Sequence, residues 1–138
     1  QYRLGASEMT VGRSSSPTHQ IGAAAEQLAA QFLLAQGWQV LAENFHCRFG
    51  EIDLIIRPND AQQLLVFVEV RSRKRTQFGD AISSVTVAKQ RKLYKTAAYF
   101  LQTRAEFSKF DCRFDVIAVQ LFASPVQFEW IPAAFMGV

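Results

Sequence analysis

The stretch Gly50-Glu51-Ile52-Asp53-Leu54-Ile55-Ile56 and its sequel Leu65-Val66-Phe67-Val68-Glu69-Val70-Arg71 set the middle of this fold. Both are strand-length, apolar and rich in branched side chains, and Pro58-Asn59-Asp60 supplies a turn between them, so they read as an antiparallel hairpin. Each also carries a carboxylate where a packed sheet favours an apolar residue. An unpaired carboxylate is costly to desolvate, so such residues imply a cation, a metal or a hydrogen-bond network nearby. Period-two alternation places Asp53 on the face of Glu51 and Ile55, and Glu69 on the face of Phe67 and Arg71. Strands aligned with these faces together would gather Asp53, Glu69 and Arg71 into one cluster.

Upstream, Ile21, Ala25, Leu28, Ala29, Phe32 and Gln36 recur at helical spacing, with Thr18 as a plausible N-cap and Gly37 as the stop. Glu26 falls at the margin of that stripe, beside Leu33. Trp38 to Phe45 reads as a strand and His46 to Gly50 as a turn. Downstream, a basic loop runs through Gly79-Asp80 into a helix from about Val87 to Thr103, buried along Leu93, Ala97, Phe100 and Leu101. Phe114–Phe122 and Val126–Ile131 read as two further strands. The expected order is α-β-β-β-α-β-β, an α/β domain with a mixed sheet flanked by helices. Residues 1–17, rich in Ser, Gly and Thr, read as a disordered arm, and residues 18–138 as one domain.

The bulk properties agree. The chain has 138 residues, 49% hydrophobic and 20% charged, enough to bury a core. No apolar run reaches the length of a membrane span, and no signal peptide opens the sequence. Cys47 and Cys112 lack zinc-ligand spacing and read as reduced, half-buried thiols of a cytoplasmic protein. His19 falls near a helix start and His46 in a loop, and they form no metal pair. Net charge is only +3, yet eight of the fifteen Lys and Arg lie between Arg71 and Lys95, against the single acid Asp80. Such a run is either a solvated face or the footprint of a polyanion.

Two carboxylates on adjacent strands suit phosphodiester hydrolysis, which needs the phosphate charge shielded and a water deprotonated. Mg²⁺ or Mn²⁺ held by Asp53 and Glu69, with the Val70 carbonyl also facing it, would provide both. The alternative is structural: Glu69 paired with Arg71 or Arg73, and Asp53 with Arg48 or Arg57.

The ordered motifs Gly22-Ala23-Ala24-Ala25-Glu26, Asn44-Phe45, Gly50-Glu51-Ile52-Asp53-Leu54-Ile55, Val66-Phe67-Val68-Glu69-Val70-Arg71-Ser72-Arg73, Phe78-Gly79-Asp80, Lys89-Gln90-Arg91-Lys92-Leu93 and Cys112-Arg113-Phe114-Asp115-Val116 resemble the bacterial YraN family. The likeness spans roughly Ile21 to Val119 and extends through Glu129-Trp130-Ile131. That family is similar to the restriction-endonuclease-like superfamily, in the branch nearest archaeal Holliday-junction resolvases. The resemblance implies a restriction-endonuclease-like core and a site of Glu26, Asp53 and Glu69, with Arg71 where the superfamily has lysine. Arginine stays protonated and cannot be a general base, though it can grip phosphate. The expected partner is nucleic acid, DNA ahead of RNA, with Arg73, Lys74, Arg75, Lys89, Arg91 and Lys92 as the binding residues. The implied activity is a metal-dependent endonuclease acting on branched or structured DNA. A catalytically silent binding module and a protein-interaction scaffold are the alternatives. Such cores often pair into homodimers, but no interface is legible.

The remaining residues read more simply. Asp80 is a helix N-cap or turn residue, Trp38 and Trp130 are core or edge residues, and Glu51 is either a neighbour of Asp53 or a hairpin-edge residue.

Overall fold

A computed structural model describes residues 16–73 and 80–136. The first helix, α1 (Pro17–Ala35), starts one residue before the expected cap. Ser16 rather than Thr18 closes it, its Oγ accepting the His19 N–H at 3.0 Å, with Pro17 preset for the first turn. Gly37 ends it at φ +91, a conformation that favours glycine. Strands β1 (Trp38–Cys47), β2 (Gly50–Pro58) and β3 (Leu64–Ser72) follow, then the four-residue α2 (Asp80–Ser83) and α3 (Val87–Thr103), then β4 (Asp111–Gln120) and β5 (Gln127–Phe135). Thr86 caps α3 by accepting the Lys89 N–H. His46 belongs to β1, not to a loop, and Cys112 is exposed rather than half-buried.

The five strands lie in the order β1-β2-β3-β4-β5. Only β3 and β4 are parallel, because α3 carries the chain across between them; the other neighbours are antiparallel. The architecture is therefore the mixed α/β arrangement expected, with α2 as an addition.

Each face of the sheet carries its own core. On one face Ile52, Ile55, Phe67, Phe114, Val116 and Ala118 pack under Leu93, Ala97 and Phe100 of α3. On the other, Leu54, Ile56, Val66, Val68, Val70, Ile117 and Val119 pack under Ala25, Ala29, Ala30 and Leu33 of α1. The small alanines let α1 approach the sheet closely.

Simple alternation fails along β2. Ile52 and Ile55 share the α3 face, so the period of two breaks between them. In the same region β1 slips register between Val40 and Ala42, and Asn44 takes φ +52 between the Glu43–Leu54 and Phe45–Ile52 pairs. Asp53 therefore does not share a face with Ile55. Among the described residues no helix is long and apolar enough to cross a membrane.

Candidate functional site

Asp53 sits where two strands part. Regular pairing of β2 with β3 covers Leu54–Val68, Ile55–Phe67 and Ile56–Val66. Beyond it the Asp53 side chain takes over, its Oδ2 accepting the Val70 N–H at 2.8 Å. A carboxylate thus replaces a backbone carbonyl in the ladder, satisfying a donor that would otherwise be orphaned. β3 continues alone alongside β4, the Arg73 N–H reaching the Val119 carbonyl at 2.8 Å.

Three acids meet at this splay. Glu26 comes from α1, on the side of Leu33 as expected, and its carboxyl shares a hydrogen bond with Asp53. Glu69 lies on the α3 side, only 4% exposed. Its Oε2 stands 3.1 Å from Arg71 Nη2 and 3.5 Å from Lys89 Nζ. Burial, then the negative charge of Glu26, pushes the Asp53 carboxyl from its ordinary 3.8 to about 7, against the pull of the Val70 N–H. Burial and the charge of Asp53 likewise raise Glu69 from 4.5 to about 7, against Lys89 and Arg71. Glu26 is also raised, mainly by burial. The three cannot all ionise near neutrality without strong mutual repulsion.

The structure separates the two halves of the ion-pair alternative. Glu69 does pair with Arg71, and with Lys89 rather than Arg73. Asp53 pairs with neither proposed arginine. Arg57 reaches the Gln62 carbonyl and covers Phe110, and Arg48 lies over Phe49. Arg71 itself is incompletely satisfied: its Nε is buried without a hydrogen-bond partner among the described residues.

Of the expected binding residues, Lys89 joins the acids from the first turn of α3. Lys92 is exposed farther along that helix, and Arg91 lies about 200° around it from Lys89, facing away. Arg73 follows the end of β3, with Nη1 on the Ser72 carbonyl. Lys74, Arg75, Phe78 and Gly79 lie outside the described residues, as does most of the expected arm. Asp80 begins α2, and Glu51 is exposed on β2. Trp38 and Trp130 are partly buried and meet edge-to-face at 5.3 Å.

Sequence reasoning missed Asp115. It is fully buried in β4 and accepts four hydrogen bonds. Two come from Arg113, at 2.8 and 2.9 Å, one from Trp130 Nε1 at 2.8 Å and one from the Ala133 N–H at 2.9 Å. The last holds an irregularity in β5 around Pro132 and Ala133, the latter at φ +51. The readable signal was Arg113-x-Asp115, a period-two ion pair inside an apolar strand.

The donor chemistry at the splay suits a hard dication, which takes carboxylate and carbonyl oxygens. Among the described residues, however, no three His, Cys, Asp or Glu side chains already stand in a metal-holding group. Loading would require Arg71 and Lys89 to leave Glu69, and their side chains, 25% and 41% exposed, have room to swing outward.

The fold and the site thus define a mixed α/β protein with a buried acidic cluster flanked by cations. Comparison of the sequence places it more narrowly. Residues 25–119 match uncharacterised protein family UPF0102, the YraN family of the motif resemblance, and the chain belongs to that family. It is 43% identical over 130 residues to a UPF0102 protein of Psychrobacter sp., covering 88% of this chain and 92% of that one. It is 46% identical over 117 residues to one of Saccharophagus degradans, covering 85% and 93%, and 42% identical over 114 residues to one of Nitrosococcus oceani, covering 83% and 90%.

Proposed function

We propose that this protein binds nucleic acid and hydrolyses its phosphodiester backbone at the β2–β3 splay, with structured or branched DNA as substrate. The observation that carries the reading is the convergence of Glu26, Asp53 and Glu69 with their proton affinities raised, beside Arg71 and Lys89. Acids that repel one another in a half-closed site need protons or a cation. Glu26, Asp53, Glu69 and the Val70 carbonyl would hold Mg²⁺ or Mn²⁺. When bound, such an ion shields phosphate charge and lowers the pKa of a coordinated water. Arg71 and Lys89 then transfer their hydrogen bonds from Glu69 to the phosphate, and the unpartnered Arg71 Nε supplies a further donor for it. Until the site is filled, a proton held between Glu26 and Asp53 would relieve their repulsion.

Incubating the protein with a four-way DNA junction and Mn²⁺ tests this reading. Cleavage by wild type that disappears in Asp53→Ala supports it. Equal cleavage by both proteins, or none by either, removes the hydrolytic part. Calorimetric titration of Mn²⁺ should show one stoichiometric site in wild type and none in Asp53→Ala.

A second reading follows from Arg71 and Lys89 holding Glu69 in place of a metal: a silent binding module that has kept the fold and its cations. It predicts affinity for nucleic acid that falls steeply with salt, without cleavage.

A further inference from the structure

The turn between β1 and β2 lies against α3 and leaves an open recess of about 290 Å³, lined by Arg48, Phe49, Lys95, Ala98, Tyr99 and Gln102. The recess is built, because Gly50 fixes the turn on the helix. A Cβ there would stand 3.1 Å from Thr96 Oγ1 and 3.5 Å from Lys92 Cβ, and Gly50 takes φ +151. This close approach brings Phe49 to 6.2 Å from Tyr99, edge-to-face, while the Arg48 guanidinium covers Phe49 at 4.7 Å. Tyr99 is 36% exposed although aromatic. Among the described residues no carboxylate pairs with Arg48 or Lys95; Glu69, Glu106 and Asp115 pair with other cations, away from the recess.

An aromatic ring, a guanidinium plane, an ammonium and a side-chain amide around one recess match the chemistry of a base with its phosphate. The recess also stands in line with the acidic site. Lys89, Lys92, Thr96 and Tyr99 fall within about 80° of one another around α3, and Lys89 to Tyr99 spans about 15 Å. From Phe49 in the turn into β2, the extended chain to Asp53 covers about 13 Å. Either distance is about four nucleotides at the 3.4 Å stacking rise.

We propose that this recess receives an unpaired nucleobase of a strand whose backbone runs past Lys92 to the acidic site. The inference rests on the nucleic-acid reading above and adds where, and in what form, the strand is held. The base stacks on Tyr99, Arg48 and Lys95 hold the flanking phosphates, and the Gln102 amide is placed to meet the base edge.

A single-stranded DNA oligonucleotide carrying 2-aminopurine, followed by fluorescence and anisotropy in metal-free buffer, tests the proposal without any cleavage. Wild type should bind and quench the fluorophore. Tyr99→Ala should weaken binding about tenfold and abolish quenching, while Tyr99→Phe retains both. Arg48→Gln with Lys95→Gln should flatten the salt dependence of log K by about 1.4, corresponding to two single-strand phosphates. Wild-type binding that neither Tyr99→Ala nor the double variant changes overturns this subsite and leaves the nucleic-acid reading standing. Failure of wild type to bind overturns both. Adenosine monophosphate binding as tightly as the oligonucleotide would show that the recess takes a free nucleotide and overturn the strand path.

Discussion

Replacing Asp53 with asparagine should make the metal-free protein more stable at alkaline pH, although the residue is half-buried and hydrogen-bonded. The Asn Oδ1 can still accept the Val70 N–H, so the strand splay keeps its support. What disappears is a negative charge beside Glu26 and Glu69. In the folded protein the Asp53 carboxyl titrates at about 7, against an ordinary 3.8. The folded state therefore binds the proton more tightly than the unfolded chain. The contribution of Asp53 to wild-type stability is fullest below the unfolded value, falls as pH rises from about 4 to about 7, and is then at its lowest. At 1.36 kcal/mol per pH unit the gap corresponds to roughly 4 kcal/mol. Burying the neutral amide takes back part of this, leaving an expected gain of about 2 kcal/mol at pH 8. For a domain of this length that is about 6 °C in melting temperature. Thermal and urea unfolding in chelator at pH 4 and pH 8 would measure it, with the gain shrinking toward zero at pH 4. The Glu69 carboxyl should also titrate lower in the variant, since the charge of Asp53 is the second cause of its elevation. An Asp53→Asn protein less stable than wild type at pH 8, or a difference independent of pH, would show that the carboxylate is a compensated structural ion and refute this account.

Asp115→Ala leaves Arg113, Trp130 Nε1 and the Ala133 N–H without their acceptor and should cost roughly 3–5 kcal/mol in urea unfolding. Gly50→Ala meets both a glycine-favouring φ and the Thr96 hydroxyl, so equilibrium unfolding should show a loss of about 1–3 kcal/mol. Arg71→Lys exchanges a permanent guanidinium for a titratable ammonium. It should raise the rate of Mn²⁺-dependent junction cleavage above wild type, measured on a gel under single-turnover conditions; an unchanged or lower rate would discount the lysine position.

Local signals carried the sequence reading a long way. The bounds of α3 were legible because Leu93, Ala97 and Phe100 repeat at helical spacing, and all three are buried. The β2–β3 hairpin was legible because a turn separates two apolar runs. Glu26 could be placed beside Leu33 from periodicity alone, although what it meets across the interface could not. The errors arose where a long-range contact overrides alternation. Alternation puts Asp53 on the face of Ile55, but its side chain bonds to a backbone N–H seventeen residues away, and Ile52 and Ile55 end up on one face. No pattern of two or 3.6 records that kind of substitution. Asp115 escaped for the same reason, since two of its donors, Trp130 and Ala133, come from β5.

Asp53 and Asp115 perform the same structural task with opposite electrostatics. Each is a carboxylate in a strand that accepts a backbone N–H where regular pairing fails, Val70 in one case and Ala133 in the other. Asp115 is compensated on the spot by a bidentate Arg113, and Trp130 supplies a further donor. A satisfied ion of this sort holds a bend and needs nothing else. Among the described residues no cation forms an ion pair with Asp53, and only the more distant charge of Lys89 pulls on it. Its neighbours are Glu26 and Glu69, and the nearby cations, Arg71 and Lys89, bond to Glu69 instead. If the splay needed only a carboxylate to close its ladder, an arginine beside Asp53 would stabilise it, as Arg113 does at Asp115. Three acids left mutually repelling make sense as a place for positive charge that arrives from outside. The contrast within one chain, between a carboxylate with its own counter-ion and one whose neighbours among the described residues are acids, supports the proposal that the β2–β3 splay is a site while the β4–β5 bend is a brace.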